Sequence, residues 1–308
     1  MRAVVTEDYG AAPVVRDVPD PVAGAGELLI RNAGSSINGF DRTVAAGWMQ
    51  GRMEHHFPVI LGRDFAGTVE AVGADVHDFS PGDRVFGVVT GRTLGPGGLA
   101  ELVVAPAAVG VAHVPAGAEV VRMGAVGLAA ITALVAVDTL EPVRGQTVLV
   151  AGAAGGVGSY AVQLLAMRGA RVIATARGPE AAAFIRDLGA AEVLDHGHEL
   201  APQLLSLAPA GVDAAIHLAG NGVTLADLVR PGGRIASAVG LSQDKLGDRA
   251  VTVSPVFGGP SAAAFETIGG LIASGALRLP ISRTYTLAEA PHALAEFKGP
   301  GKALILIG

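Results

Sequence analysis

The stretch VLVAGAAGGVGSYAVQLLAMRGARVIATAR, residues 148–177, limits the possible folds of this chain more than any other. It opens on a continuous apolar run, Thr147–Ala151, which suits a parallel strand buried on both faces. Gly152, Gly155 and Gly158 follow at G-x-x-G-x-x-G spacing, with a helix expected over Val157–Arg168 and a second strand over Arg171–Ala176. Glycine is needed at such a turn for three reasons: the chain reverses tightly, the backbone must approach a pyrophosphate, and the helix must pack close to the strand. The amides that open the helix then face the phosphates with the favourable end of the helix dipole. A glycine-rich turn without a ligand is the plain alternative. The strand before it, the helix after it and the second strand at the right distance weigh against that alternative. The turn therefore offers Gly152, Ala154, Gly155, Gly156, Val157 and Gly158 as cofactor contacts.

The end of the second strand distinguishes the two nicotinamide dinucleotides. An NAD site usually carries Asp or Glu there to accept from the ribose hydroxyl. This chain has Ala174-Thr175-Ala176-Arg177, and its next carboxylate is Glu180. The planar fork of Arg177 suits a 2′-phosphate, which favours NADPH, although a solvated arginine after a strand is the alternative. Thr175 and Arg177 join the candidate contacts.

Beyond Arg177 the alternation continues, with a helix expected over Pro179–Leu188 and strands at Glu192–Leu194, Val212–His217, Gly233–Ala238 and Val251–Pro255. Such alternation predicts a doubly wound parallel sheet. The first 115 or so residues instead read as short strands divided by Gly/Pro turns, among them Arg2–Thr6, Glu27–Ala33, Asp64–Val72 and Arg84–Val89, with one helix near Gly39–Ala46. That rhythm suggests a small barrel. After a helix near Ala262–Ser274, a strand-rich tail ending in Ala303–Ile307 most simply returns to the first domain.

Composition narrows the function classes. The 308 residues are 50% hydrophobic and 16% charged, so disorder is excluded and two domains are expected. A net charge of −6, with no basic cluster, argues against nucleic acid as a partner. The absence of cysteine removes disulfides, thiolate zinc sites and a Cys nucleophile. The opening residues MRAVVTEDYG read as a strand rather than a secretory leader, and no apolar run reaches the roughly 18 residues of a membrane span. A soluble, cytoplasmic protein with no membrane partner is the expectation.

Six segments in order resemble the quinone oxidoreductase-like, zeta-crystallin-like branch of the medium-chain dehydrogenases/reductases. They are residues 57–87 (FPVILGRDFAGTVEAVGADVHDFSPGDRVFG), GGLAELVVAP at 97–106, the glycine turn, LGAAEVLD at 188–195, RPGGRIASAVG at 230–240 and the closing GKALILIG. The resemblance implies an α/β protein with a GroES-like β-barrel catalytic domain, residues 1–118 and 266–308, around an inserted Rossmann NADPH-binding domain, residues 119–265. It further implies an active site in the cleft between the two and a homodimer or homotetramer. Zinc-dependent members carry Gly-His-Glu where this chain has Gly62-Arg63-Asp64, and their first ligand is a Cys. A cation at Arg63 opposes a metal ion, so the expected chemistry is metal-free hydride transfer from NADPH to a quinone or an α,β-unsaturated carbonyl.

SINGFDR, residues 36–42, resembles the N-x-x-D stretch that lines the family's active site. Asn38 can donate to substrate or cofactor, or cap the following helix, and Asp41 reads as structural, paired with Arg63 or Arg42, while standing with Asn38 and Trp48 as a catalytic candidate. Phe40, Trp48, Arg63 and Phe257 are candidates for the substrate pocket. On the cofactor side the resemblance implies His196 near the 2′-phosphate and Leu218, Ala219, Gly220, Val239, Gly240 and Leu241 beside the nicotinamide. Lys302 is expected either to reach the cofactor or to stay solvated. An enoyl-thioester reductase and a non-catalytic NADPH-binding sensor or crystallin-like protein are the other readings.

Overall fold

The computed structural model describes all residues, 1–308, and the chain forms two compact units. One comprises Met1–Ile131, Pro260–Lys298 and Lys302–Gly308, and the other Thr132–Gly259 with Gly299–Gly301. The boundaries thus fall at 131/132 and 259/260, against the expected 118/119 and 265/266. The first lies inside a single helix, Gly127–Leu140, whose sequence GLAAITALVAVDTL is apolar on nearly every side.

The first unit is built on short antiparallel strands. Its spine is the strand Glu27–Ser36, which pairs with Asp64–Val72, with Leu102–Pro106 and, at its far end, with Lys302–Leu306. The sequence rhythm expects this strand to stop at Ala33. It runs on to Ser36 because Gly34, Ser35 and Ser36 find partners in Leu306, Ile305 and Leu304. The returning tail therefore completes the first unit, as expected. Alternating burial along Glu27–Ser36 sends Leu28 and Ile30 into an apolar cluster with Phe65, Val85 and Val103, the pattern of a half-covered antiparallel sheet. A second cluster, with Val4, Val44, Leu61, Leu294 and Ile305, packs beneath the helix Gly39–Ala45.

The second unit is a six-stranded, wholly parallel sheet. Across the sheet the strands run Glu192–Asp195, Arg171–Ala176, Thr147–Ala151, Val212–His217, Val229–Ser237 and Thr252–Pro255. In chain order this is 3-2-1-4-5-6, the Rossmann arrangement, whose order reverses between the first and fourth strands. Val148, Leu149 and Val150 are wholly buried, as the unbroken apolar run requires. No helix in the chain is long and apolar enough to cross a membrane.

Candidate active site and dinucleotide cradle

Two of the three roles expected of the glycine turn, the tight reversal and the close helix packing, are visible in its geometry. Gly152 leaves the strand with φ +86°, a left-handed conformation that a side chain would strain. Its N–H donates to Thr175 Oγ1 at 2.9 Å, so buried Thr175 braces the turn from the neighbouring strand. Gly158 sits where a Cβ would lie 2.4 Å from the Gly152 carbonyl oxygen, which keeps the helix close to the strand. Gly155, by contrast, would place a Cβ no nearer than 3.4 Å to any neighbour. It precedes the helix Gly156–Met167, and no side chain caps that helix start. The first-turn amides of Gly156, Val157 and Gly158 consequently have no acceptor within the helix and open onto a cradle of anion-binding character. Leu218 and Ala219 close over the turn, for a Cβ at Gly152 would lie 3.0 Å from Ala219 Cβ and 3.2 Å from Leu218 Cβ. The Ala154 carbonyl is held by the Gly301 N–H at 2.8 Å.

Arg177 and His196 come together through strand register. Ala176 pairs with Asp195 at the carboxyl ends of adjacent parallel strands, so the next residue on each strand lies side by side. The His196 N–H donates to the Ala176 carbonyl at 3.1 Å, and Arg177 Nε reaches to 3.9 Å from where a Gly197 Cβ would be. Both side chains are exposed. Gly220, Val239 and Gly240 are exposed and Leu241 is buried, on loops that follow the strands Val212–His217 and Val229–Ser237.

The first unit holds a buried polar cluster around Asp64, a residue the sequence reading leaves without a role. Its carboxylate accepts from Leu128 N at 2.6 Å, from Asn38 Nδ2 at 2.9 Å, from Ser36 Oγ and from Lys302 Nζ at 3.3 Å. Lys302 donates further to the Ile37 carbonyl at 3.0 Å and to Asn38 Oδ1 at 2.6 Å. A lysine ammonium has three hydrogens, and here all three have acceptors. The expectation of a solvated Lys302 is corrected: it is 1% exposed, and none of its hydrogens is left over for a phosphate or ribose. The signal that could have found Asp64 is its place in Gly62-Arg63-Asp64, at the acidic position of the family motif.

The expected pairing of Asp41 with Arg63 or Arg42 is also corrected. Asp41 accepts from the Asn38 N–H at 2.7 Å, folding back over the helix start. Arg42 donates to the carbonyls of Phe297 and, at 3.5 Å, Ala293. Arg63 donates to the Val89 carbonyl at 3.1 Å and lies 4.8 Å over the Phe40 ring, a cation–π geometry. Without an ion-pair partner in contact, burial pushes the Asp41 carboxyl up to about 7; the nearby Asp64 charge adds to this and the Asn38 N–H opposes it. Burial likewise lowers the pKa of the Arg63 guanidinium, with Asp41 acting the other way.

Asn38, Phe40, Asp41, Arg63 and Lys302 thus share one neighbourhood in the first unit. Trp48 stands 71% exposed on the turn after the helix Gly39–Ala45, and Phe257 is 81% exposed in the second unit. Neither packs as core.

Comparison with known proteins agrees with both halves of the chain. Residues 24–116 match the alcohol dehydrogenase GroES-like domain family and residues 156–263 the zinc-binding dehydrogenase family. The chloroplastic quinone-oxidoreductase QR1 of Triphysaria versicolor is 35% identical, over 71% of this chain and 68% of its own length. A quinone oxidoreductase of Pseudomonas aeruginosa is 31% identical over 94% of this chain and 93% of its own. Among solved structures, the quinone oxidoreductase from Coxiella burnetii superposes with a TM-score of 0.89 at 26% identity, covering 100% of this chain and 99% of that one. A zinc-binding-dehydrogenase-type structure from Sinorhizobium meliloti 1021, bound to NADP, gives 0.83 at 25% identity, covering 99% and 98%.

Proposed function

Because the chain belongs to the medium-chain dehydrogenase/reductase superfamily, in its quinone oxidoreductase-like branch, we propose that it reduces a quinone or an α,β-unsaturated carbonyl with NADPH and without zinc. The observation that carries the reading is the carboxyl edge of the parallel sheet. There an open glycine cradle lies one strand away from Arg177 and two from His196, and the Arg171–Ala176 strand ends without a carboxylate.

The cradle fits a pyrophosphate, since Gly155 leaves space where any side chain would intrude and the uncapped helix start supplies amides. Arg177 would fork onto the 2′-phosphate, with His196 beside it. When bound, NADPH supplies a hydride from C4 of its nicotinamide. The chain's own residues then have to orient the acceptor, exclude water and manage one proton. Asn38 commits one amide hydrogen to Asp64 and keeps a second with which to meet a carbonyl oxygen. Asp41 holds its proton up to about pH 7 and is the group of the cluster able to release one near neutrality. Phe40 and Trp48 would offer aromatic faces to a planar acceptor. Zinc independence is supported by Arg63, a buried cation where zinc-dependent relatives place a ligand histidine, and by a sequence without cysteine.

The test is steady-state oxidation of NADPH and of NADH by the purified protein, with 1,4-benzoquinone, an alkenal and crotonyl-CoA as acceptors, with and without a chelator. The expected result is chelator-insensitive NADPH oxidation by the quinone or the alkenal. Arg177→Ala should raise the KM for NADPH about tenfold or more while leaving that for NADH within about twofold, because a charge-assisted contact to phosphate is lost from only one of them. A preference for NADH would overturn the cofactor assignment, and loss of activity with chelator would overturn zinc independence. Turnover of crotonyl-CoA alone would move the substrate class to enoyl thioesters.

A further inference from the structure

His217 and Ser237 end the fourth and fifth strands in chain order of the Rossmann sheet, and the parallel register sets them directly opposite each other. Both are buried, at 3% and 2% exposure. His217 Nδ1 lies 3.0 Å from Ser237 Oγ, and Nε2 lies 3.1 Å from the Gly220 carbonyl oxygen. A carbonyl can only accept, so Nε2 carries the hydrogen, and Nδ1 of the neutral ring is then an acceptor. The Ser237 hydroxyl must therefore donate to Nδ1. That leaves its oxygen to receive the N–H of Leu241 at 3.2 Å and of Val239 at 3.4 Å. One tautomer satisfies every donor and acceptor in the group.

The ring is tightly enclosed. A Cβ at Gly222 would lie 2.8 Å from His217 Cε1 and 2.9 Å from the Leu241 methyl groups. Burial keeps the imidazole neutral by lowering its pKa, the Gly220 contact acting in the opposite sense. From this ring two loops depart, 218–220 from one strand and 238–241 from the next. They lie at the carboxyl edge of the sheet, where open α/β folds bind ligands. Leu218 and Ala219 already pack on Gly152, while a Cβ at Gly220 or at Gly240 would meet nothing within 4 Å. A single imidazole, directly and through Ser237, thus braces both loops, one of which packs on the glycine turn.

We propose that His217, as the Nε2–H tautomer, and Ser237 are a positioning pair that holds the 218–220 and 238–241 loops in place for the nicotinamide half of the dinucleotide. The proposal rests on the dinucleotide reading of the cradle. It assigns the pair no contact with reacting atoms; the pair acts by preorganising the loops, whose ordering would otherwise weaken binding.

The experiment is calorimetric titration of the full chain with NADPH and with 2′,5′-ADP, which keeps the adenosine and its 2′-phosphate and lacks the nicotinamide. His217→Leu keeps the bulk and removes both hydrogen bonds. It should weaken NADPH about tenfold while 2′,5′-ADP stays within about twofold. His217→Gln, with a donor and an acceptor on one amide, should recover most of the NADPH affinity. Ser237→Ala, a smaller change, should shift NADPH alone in the same direction and serves if His217→Leu does not fold. Unchanged NADPH binding in these variants, or equal loss of both ligands, would overturn the proposal. An unaltered chain that binds neither ligand would overturn the dinucleotide reading and the positioning pair with it.

Discussion

At the scale of single residues, burial decides what the polar groups of the first unit can do. Lys302 and Asp64 are separated by 238 positions in sequence and face each other with almost no exposure. Removing one partner from such a pair leaves a charge with neither water nor a counter-ion, at a typical cost of about 3–5 kcal/mol. Lys302→Met should therefore destabilise the protein by roughly 3 kcal/mol, the lower end, because Ser36, Asn38 and the Leu128 N–H still donate to Asp64. A urea midpoint close to that of the unaltered chain would contradict it. Asp41 gives a pH signature. Its folded pKa of about 7 stands above the ordinary 3.8, so between these values the folded chain binds more protons than the unfolded one. Its contribution to stability is full below about pH 3.8 and is lost as pH rises to about 7. Asp41→Asn keeps an acceptor for the Asn38 N–H and cannot ionise. Its stability relative to the unaltered chain should rise across that window, and parallel curves would refute the assignment.

At the scale of elements, the strand–turn–helix around Gly152 is the most local of the functional devices, and its parts fail separately. Gly158→Val would drive a branched side chain into the Gly152 carbonyl, 2.4 Å from its Cβ position. It should therefore lower thermal stability as well as dinucleotide affinity. At Gly155 a Cβ would meet only the Gly152 carbonyl oxygen, at an ordinary contact distance of 3.4 Å. Gly155→Val should leave the melting temperature within about 2 °C, a shift equivalent to about 1.3 kcal/mol in a chain of this size, while weakening NADPH at least tenfold. Differential scanning calorimetry beside a binding titration separates the two; equal melting shifts would deny the distinction. These elements were legible in sequence because their signals are short-range. An apolar run, three glycines and a largely apolar helix fit within thirty or so residues. The strand Glu27–Ser36 was legible only as far as Ala33, since its last three residues are held by a partner from the chain's other end.

At the scale of the whole molecule, the first unit is closed by a segment remote in sequence from the rest of it. The strand Lys302–Leu306 lies between Glu27–Ser36 and Ile281–Thr286 and carries Ala303 and Ile305 into the apolar cluster. Deleting residues 302–308 should therefore unfold the first unit, not trim an end. Limited proteolysis would then cut throughout residues 1–131, while cleavage confined to the neighbouring strand Ile281–Thr286, with residues 1–131 still protected, would contradict this. The parallel Rossmann sheet, the glycine turn and the basic end of the second strand follow from sequence alone, because each is written in neighbouring residues with a fixed period. Only the tertiary structure decided that Asp64, Asn38 and Lys302 form one cluster, that Asp41 folds back on its own helix, and that His217 meets Ser237. Those contacts join residues tens to hundreds of positions apart, or depend on which side chain is left without water. Neither hydrophobic period nor local spacing records that.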